Sequence, residues 1–128
     1  MKLEINNWYI NQDENYERSI VYATQIDIEK PKNCFAGFGT NIFLKWAKLD
    51  ETDVFGAFNW KLATEKEVLN MARYVATEKG FVKGCTIIDS ETDTKYITAS
   101  DNLNVKEGRF YFDGICIMAE GIWLETIS

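Results

Sequence analysis

Apolar and polar positions alternate through residues 16–28. Ile20, Tyr22, Thr24, Ile26 and Ile28 share one parity, joined by Arg18 nearer the start, while Glu17, Gln25 and Asp27 hold the other. A period of two marks a strand with one face in a core and one in water, the usual state in antiparallel sheets. Residues 3–10 form an earlier extended run, and the polar stretch 11–15 joins the two as a predicted hairpin. After the break at Pro31, Lys32 and Asn33, Ile42, Leu44 and Trp46 alternate against Phe43, Lys45 and Ala47. A third strand is therefore predicted over 41–49.

The period then changes. Val68, Met71, Ala72, Val75 and Ala76 recur at three- and four-residue spacing, the stripe of an amphipathic helix. Thr64-Glu65-Lys66-Glu67 before them is a capping box, in which the Thr64 hydroxyl takes the amide of Glu67 and Glu67 reaches back. Glu65 and Glu67 place negative charge at the positive end of the helix dipole. Lys79 lies in the last turn, and Gly80 supplies the left-handed stop. The helix is predicted over 65–79. Beyond it, residues 85–89 and 94–99 flank Ser90, Glu91, Thr92 and Asp93 as a hairpin with a short polar loop. Residues 109–119 carry apolar side chains on both parities and read as one central strand covered on both faces, with Gly114 marking a bulge or close approach. After Gly121, residues 122–127 return as a last strand. The predicted architecture is α+β: a curved, mainly antiparallel sheet of about six to seven strands around or beside one main helix.

Length fits this layout, because 128 residues suit one domain covering 1–128, with 46% hydrophobic residues to fill its core. The most informative absence is histidine, of which there is none. Ser-His-Asp and Cys-His nucleophile pairs are excluded, as are the HExxH zinc helix and the zinc-deaminase site. Cys34, Cys85 and Cys116 form no CxxC and read as small apolar residues in a reducing compartment. The N-terminus lacks the basic start and apolar run of a signal peptide, and no stretch approaches the ~20 apolar residues of a membrane span. The expected location is the cytoplasm, with no membrane partner.

Charge narrows the partners. Fourteen basic against twenty acidic residues give −6, the wrong sign for direct nucleic-acid binding. An acidic protein is steered toward a basic partner. Gly37-Phe38-Gly39-Thr40 has glycines that would let a backbone approach a phosphate, but neither GxGxxG nor GxxxxGK[ST] is present, so a turn or bulge is expected there. Two acidic clusters stand out, Asp50, Glu51 and Asp53, and Asp89, Glu91 and Asp93. Neither has the spacing of a calcium loop or defines a glycosidase-type carboxylate pair, so no metal, cofactor or catalytic residue is assigned. Trp8, Trp46, Trp60 and Trp123 are spread along the chain, and at least one is expected to stand exposed beside an acidic loop.

Small size, acidic balance and the lack of a catalytic set together resemble the immunity proteins of bacterial toxin systems, such as contact-dependent inhibition. The resemblance implies a binding protein that neutralises a basic toxin domain, in many cases a nuclease, by covering its active site or an adjacent surface. The expected contacts are Asp50, Glu51, Asp53, Asp89, Glu91 and Asp93 against lysines or arginines of the partner, with Trp46 and Trp60 as aromatic anchors. Two other readings stay open. One is a phage-type anti-defence protein, acting by the same occlusion or as a sponge for a nucleotide signal through some of Lys45, Lys48, Lys83 and Arg109. The other is a small hydrolase that works with carboxylates in place of histidine.

Overall fold

The computed structural model describes residues 4–12, 19–26, 35–41, 43–49 and 60–127. Its order is β1 (Trp8–Asn11), β2 (Ile20–Ile26), β3 (Phe35–Thr40), β4 (Trp46–Leu49), β5 (Trp60–Leu62), α1 (Glu65–Glu78), β6 (Thr86–Asp89), β7 (Thr94–Ile97), β8 (Leu103–Lys106), β9 (Arg109–Phe112), β10 (Ile115–Ala119), β11 (Ile122–Trp123) and β12 (Glu125–Ile127). The α+β class holds, with antiparallel pairing throughout the described ladders. The single curved sheet does not: the strands form three sheets, of five, four and three strands. The chain divides into two compact units, Met1–Val68 and Leu69–Ser128.

The first unit holds the five-stranded sheet, in the order β4-β3-β2-β1-β5. β1 and β2 pair as the predicted hairpin, Trp8 opposite Tyr22 and Ile10 opposite Ile20. The expected wet side of β2 is missing over its first half, since Ile20, Val21, Tyr22 and Ala23 are all buried. One face packs Trp8, Tyr22 and Phe38 with ring centroids 5.0 to 6.0 Å apart, and Trp46 continues the row at 5.9 Å from Phe38. Tilted and stacked aromatic pairs of this kind add about 0.5–1.5 kcal/mol each beyond the area they bury. The other face packs Tyr9, Val21, Ala23 and Trp60, with Ile26 and Leu49 against them.

Ile26 joins that second face through a bulge that periodicity alone did not reveal. Ala23 pairs with Gly37 but Gln25 with Ala36, so Thr24 is an extra residue on β2. One inserted residue reverses the parity of everything after it. Ile26 thus turns away from Ile20 and Tyr22, with which strict alternation grouped it. The expected turn at residues 37–40 is also corrected. Those residues lie inside β3, and the glycines serve its approach to β2: a Cβ on Gly37 would collide with the Tyr22 carbonyl, and one on Gly39 with that of Ile20. Ser19 donates through its hydroxyl to the Thr40 carbonyl, and the Ile20 N–H donates to Thr40 Oγ1 at 3.1 Å, which ties the ends of β2 and β3. The strand predicted over 41–49 begins only at Trp46, because Asn41 gathers the preceding residues into a turn.

The capping box forms as the sequence indicates. The Glu67 N–H donates to Thr64 Oγ1 at 3.1 Å, and the Thr64 N–H to Glu67 Oε1 at 2.9 Å. At the far end the Phe81 N–H donates to the Ala76 carbonyl and the Gly80 N–H to that of Thr77, the paired closure of a Schellman stop. Lys79 lies over the Trp123 ring, 5.5 Å from its centroid. The stripe residues Met71, Ala72, Val75 and Ala76 are buried.

The second unit holds the other two sheets, ordered β11-β10-β9-β8 and β12-β6-β7. The strand predicted over 109–119 is two strands, because Asp113 and Gly114 both take positive φ, 50° and 78°, and turn the chain between β9 and β10. Asp-Gly is the two-residue hairpin signal, and a left-handed first position is what it supplies. Glu120 and Gly121 repeat the device before β11, at 53° and 81°. Residues 122–127 also divide, β11 pairing with β10 and β12 with β6. Phe81, Phe110, Phe112 and Trp123 pack together at centroid distances of 5.5 to 6.2 Å. Thr98, just after β7, is buried, and its hydroxyl accepts from the Gly84 N–H at 2.8 Å and donates to the Val82 carbonyl at 3.1 Å.

Candidate functional surface

The β6–β7 hairpin forms where the sequence placed it, with Ser90, Glu91, Thr92 and Asp93 as its loop. Asp89 Oδ1 accepts the Glu91 N–H at 3.2 Å, a side-chain-closed turn, and Asp93 takes φ 53° before β7 begins. Glu91 and Asp93 are exposed and Asp89 is half-buried. The loop is therefore a shaped acidic projection. Asp50, Glu51 and Asp53 lie outside the described residues.

The three-stranded sheet next to this loop has an apolar outer face. Ile127, Thr86 and Ile97 are directly in register across β12, β6 and β7, and one rung nearer the loop stand Glu125, Ile88 and Lys95. Residues opposite one another and two apart along a strand share a face. Ile97 is 79% exposed and Ile127 55%, with Thr86 half-buried between them and Ile88 half-buried between Glu125 and Lys95. The opposite face carries Ile87, fully buried, and Thr126, whose hydroxyl donates to the Lys79 carbonyl at 2.6 Å. The inner face is core at Ile87 while Tyr96 opposite it reaches solvent, and the outer face presents isoleucines to solvent.

The tryptophans behave differently from expectation. Trp60 is 7% exposed and belongs to the core on one face of the five-stranded sheet, and Trp8 is buried on the other face against Tyr22 and Phe38. Trp46 and Trp123 are half-buried. None stands exposed beside an acidic loop, because each has ring or core neighbours within its own unit. The exposed apolar groups are mainly aliphatic, together with Phe43 at 74% and the partly exposed rings of Tyr74 and Tyr96. Periodicity missed these since it assigned Ile97 and Phe43 to ordinary strands; β-branched edge residues and an apolar turn tip carry no distinctive sequence signal.

Lys45, Lys48, Lys83 and Arg109 are all exposed, the first two in the first unit and the others in the second. Arg109 is engaged by Tyr111, whose hydrogen bond and charge hold the guanidinium pKa above its ordinary value. Asp113 accepts the Ala99 N–H at 2.9 Å and the Ser100 hydroxyl at 2.7 Å, and these bonds hold its pKa below the ordinary carboxyl value. That is the opposite of what a carboxyl general acid needs. Among the described residues no three Cys, Asp or Glu side chains converge as a metal site requires. Cys85 is buried and Cys116 half-buried, both as free thiols, and Cys34 lies outside the described residues. Among the described residues no helix is long and apolar enough to cross a membrane.

No protein-family model matches the chain, and neither the curated proteins nor the solved structures contain a significant match to it.

Proposed function

We propose that this protein works by occlusion, covering a basic surface of a partner protein with the β6–β7 hairpin and the sheet face beside it. The observation that carries the reading is one sheet that joins two features: Ile97 and Ile127, both widely exposed in register across Thr86 at one end of the β6–β7 hairpin, and the acidic loop with Glu91 and Asp93 at the other. Single exposed aliphatics are ordinary on protein surfaces, whereas an in-register pair rimmed by charge marks an interaction face. Burial of the isoleucines supplies affinity, while the acids set approach rate and orientation.

Carboxylates on a projecting loop stand in for the phosphates that a nuclease grips with lysine and arginine. The chemistry thus agrees with a toxin-neutralising role of the immunity-protein kind in the cytoplasm, and requires neither cofactor nor catalytic residue. Affinity capture from the native cell, with the retained protein identified, tests it. A basic protein held at one-to-one stoichiometry, released by raised salt and lost in an Asp89→Asn, Glu91→Gln, Asp93→Asn variant, is the expected result. Retention of the same protein by that variant would overturn the assignment of the surface. Turnover of a substrate by the purified chain would overturn the function.

A further inference from the structure

β7 ends its sheet with an open edge. It stands last in the order β12-β6-β7, and among the described residues no strand bonds to its far side. The Thr98 N–H donates at 2.9 Å to the carbonyl of Cys85, the residue before β6. Antiparallel bonds alternate along a strand, and the register here runs unbroken from Thr86–Ile97 to Asp89–Thr94. Thr94 and Tyr96 therefore also turn their backbone groups toward β6, while Lys95 and Ile97 turn theirs outward. β7 holds neither a proline nor a bulge, two of the devices that blunt an edge. Lys95, Tyr96 and Ile97 are all exposed, although Tyr96 stands opposite the fully buried Ile87. One added strand would cover all three.

Both ends of this edge carry acids. Asp93 directly precedes Thr94, and Glu91 is exposed in the same loop. Past Thr98, the Ala99 N–H donates to Asp113 Oδ2 at 2.9 Å, and the bonds to Asp113 hold it in its charged form. Against these carboxylates β7 sets one cation, Lys95. The charge matches an extended segment with an apolar centre and lysine or arginine toward its ends. A second copy of β7 does not match. Antiparallel pairing centred on Lys95 sets like charges opposite one another. Centred on Tyr96, it brings Asp93 of one copy to the Ala99–Asp113 bond of the other, and centred on Ile97 it needs the Ala99 N–H that Asp113 already holds.

We propose that β7 takes up an extended basic segment of the partner protein as a further strand of this sheet. The N–H and carbonyl groups of Lys95 and Ile97 bond to its backbone, Tyr96 and Ile97 pack on its two faces, and the acids at the ends take its lysines or arginines. This rests on the proposed capture of a basic protein and adds how that protein is held, by backbone bonds as well as by charge.

Residue-by-residue amide hydrogen exchange of the full chain, followed by nuclear magnetic resonance, tests it. The probe is a synthetic octapeptide of alternating valine and threonine between lysine pairs. The Lys95 and Ile97 N–H groups should exchange fast in the free protein and about tenfold more slowly or better with the peptide bound. The same peptide with glutamate for lysine should bind about tenfold more weakly. Ile97→Pro removes an outward N–H and keeps the bonds to β6, so it should weaken binding about tenfold while the Tyr96 and Thr98 N–H groups stay protected. Peptide binding that leaves Lys95 and Ile97 unprotected would overturn the proposal, as would no binding of the lysine peptide. Slow exchange at both amides before peptide is added, with a mass that doubles in sedimentation, would overturn it in favour of a second copy. In affinity capture from the native cell, loss of the basic protein by Ile97→Pro supports the proposal, and its retention overturns the proposal while the function stands. Protection by the peptide with no basic protein captured would instead overturn the function and leave the strand pairing intact.

Discussion

At Gly37 one hydrogen atom in place of a methyl group lets β3 approach β2, since any Cβ there would meet the Tyr22 carbonyl. Gly37→Ala must therefore separate two paired strands, and is expected to destabilise the chain by about 1–3 kcal/mol in chemical denaturation, the range of overpacking. Leu44 presents the reverse situation, a residue at odds with its own backbone. Leu44→Asn relieves the left-handed strain and is expected to stabilise by about 0.5–1 kcal/mol. Thr98 carries a buried hydroxyl in the second unit, and Thr98→Val removes its bonds with the Gly84 N–H and the Val82 carbonyl, while the Gly84 N–H keeps its bond to the Thr98 carbonyl. A loss of about 0.5–1.5 kcal/mol, that of an ordinary hydrogen bond, is expected in the same measurement. Asp113 gives a pH signature. Its folded-state pKa lies below the unfolded one, so its contribution is complete above the ordinary carboxyl value and is lost as pH falls through the depressed value. Asp113→Asn should lower stability at neutral and alkaline pH and so flatten the rise on the acid side of a stability-versus-pH profile.

Among elements, the helix was the most legible, because its signals are local. Capping box, stripe and stop all lie within seventeen consecutive residues, Thr64 to Gly80, and each satisfies its own neighbour's backbone groups. Thr64→Ala should cost about 1 kcal/mol of stability by removing the acceptor of the Glu67 N–H. The β6–β7 hairpin was legible for the same reason, a polar loop between two apolar runs. The β9–β10 hairpin was equally local, since Asp113-Gly114 is a turn signature, but the apolar residues on both sides of it invited a single long strand. The bulge at Thr24 was not legible: nothing in its residue type distinguishes it, and it arises from the pairing of Gln25 with Ala36 across the sheet.

At the scale of the whole molecule, the sequence carries a charge of −6, and the structure concentrates part of it on one hairpin loop. The acid-to-amide variant at Asp89, Glu91 and Asp93 should leave the folded structure intact and remove the salt dependence of partner binding. Of the expected contact residues, Asp89, Glu91 and Asp93 share one loop, Trp60 is withdrawn into a core, and Trp46 is half-buried beside Phe38. Core or surface could not be assigned to the tryptophans in advance, since a tryptophan in either place has the same sequence neighbours.

The amino-acid order by itself determined the α+β class, the helix and its ends, and the absence of imidazole chemistry, because propensity, capping and composition act over a few residues or over the sum of all of them. Only tertiary structure decided that the strands divide into three sheets, that β12 pairs with β6 rather than following β11, and that Ile97, Ile127 and Phe43 face solvent. Strand partners are chosen by hydrogen bonds between residues distant in the chain, and exposure is a property of what else packs nearby.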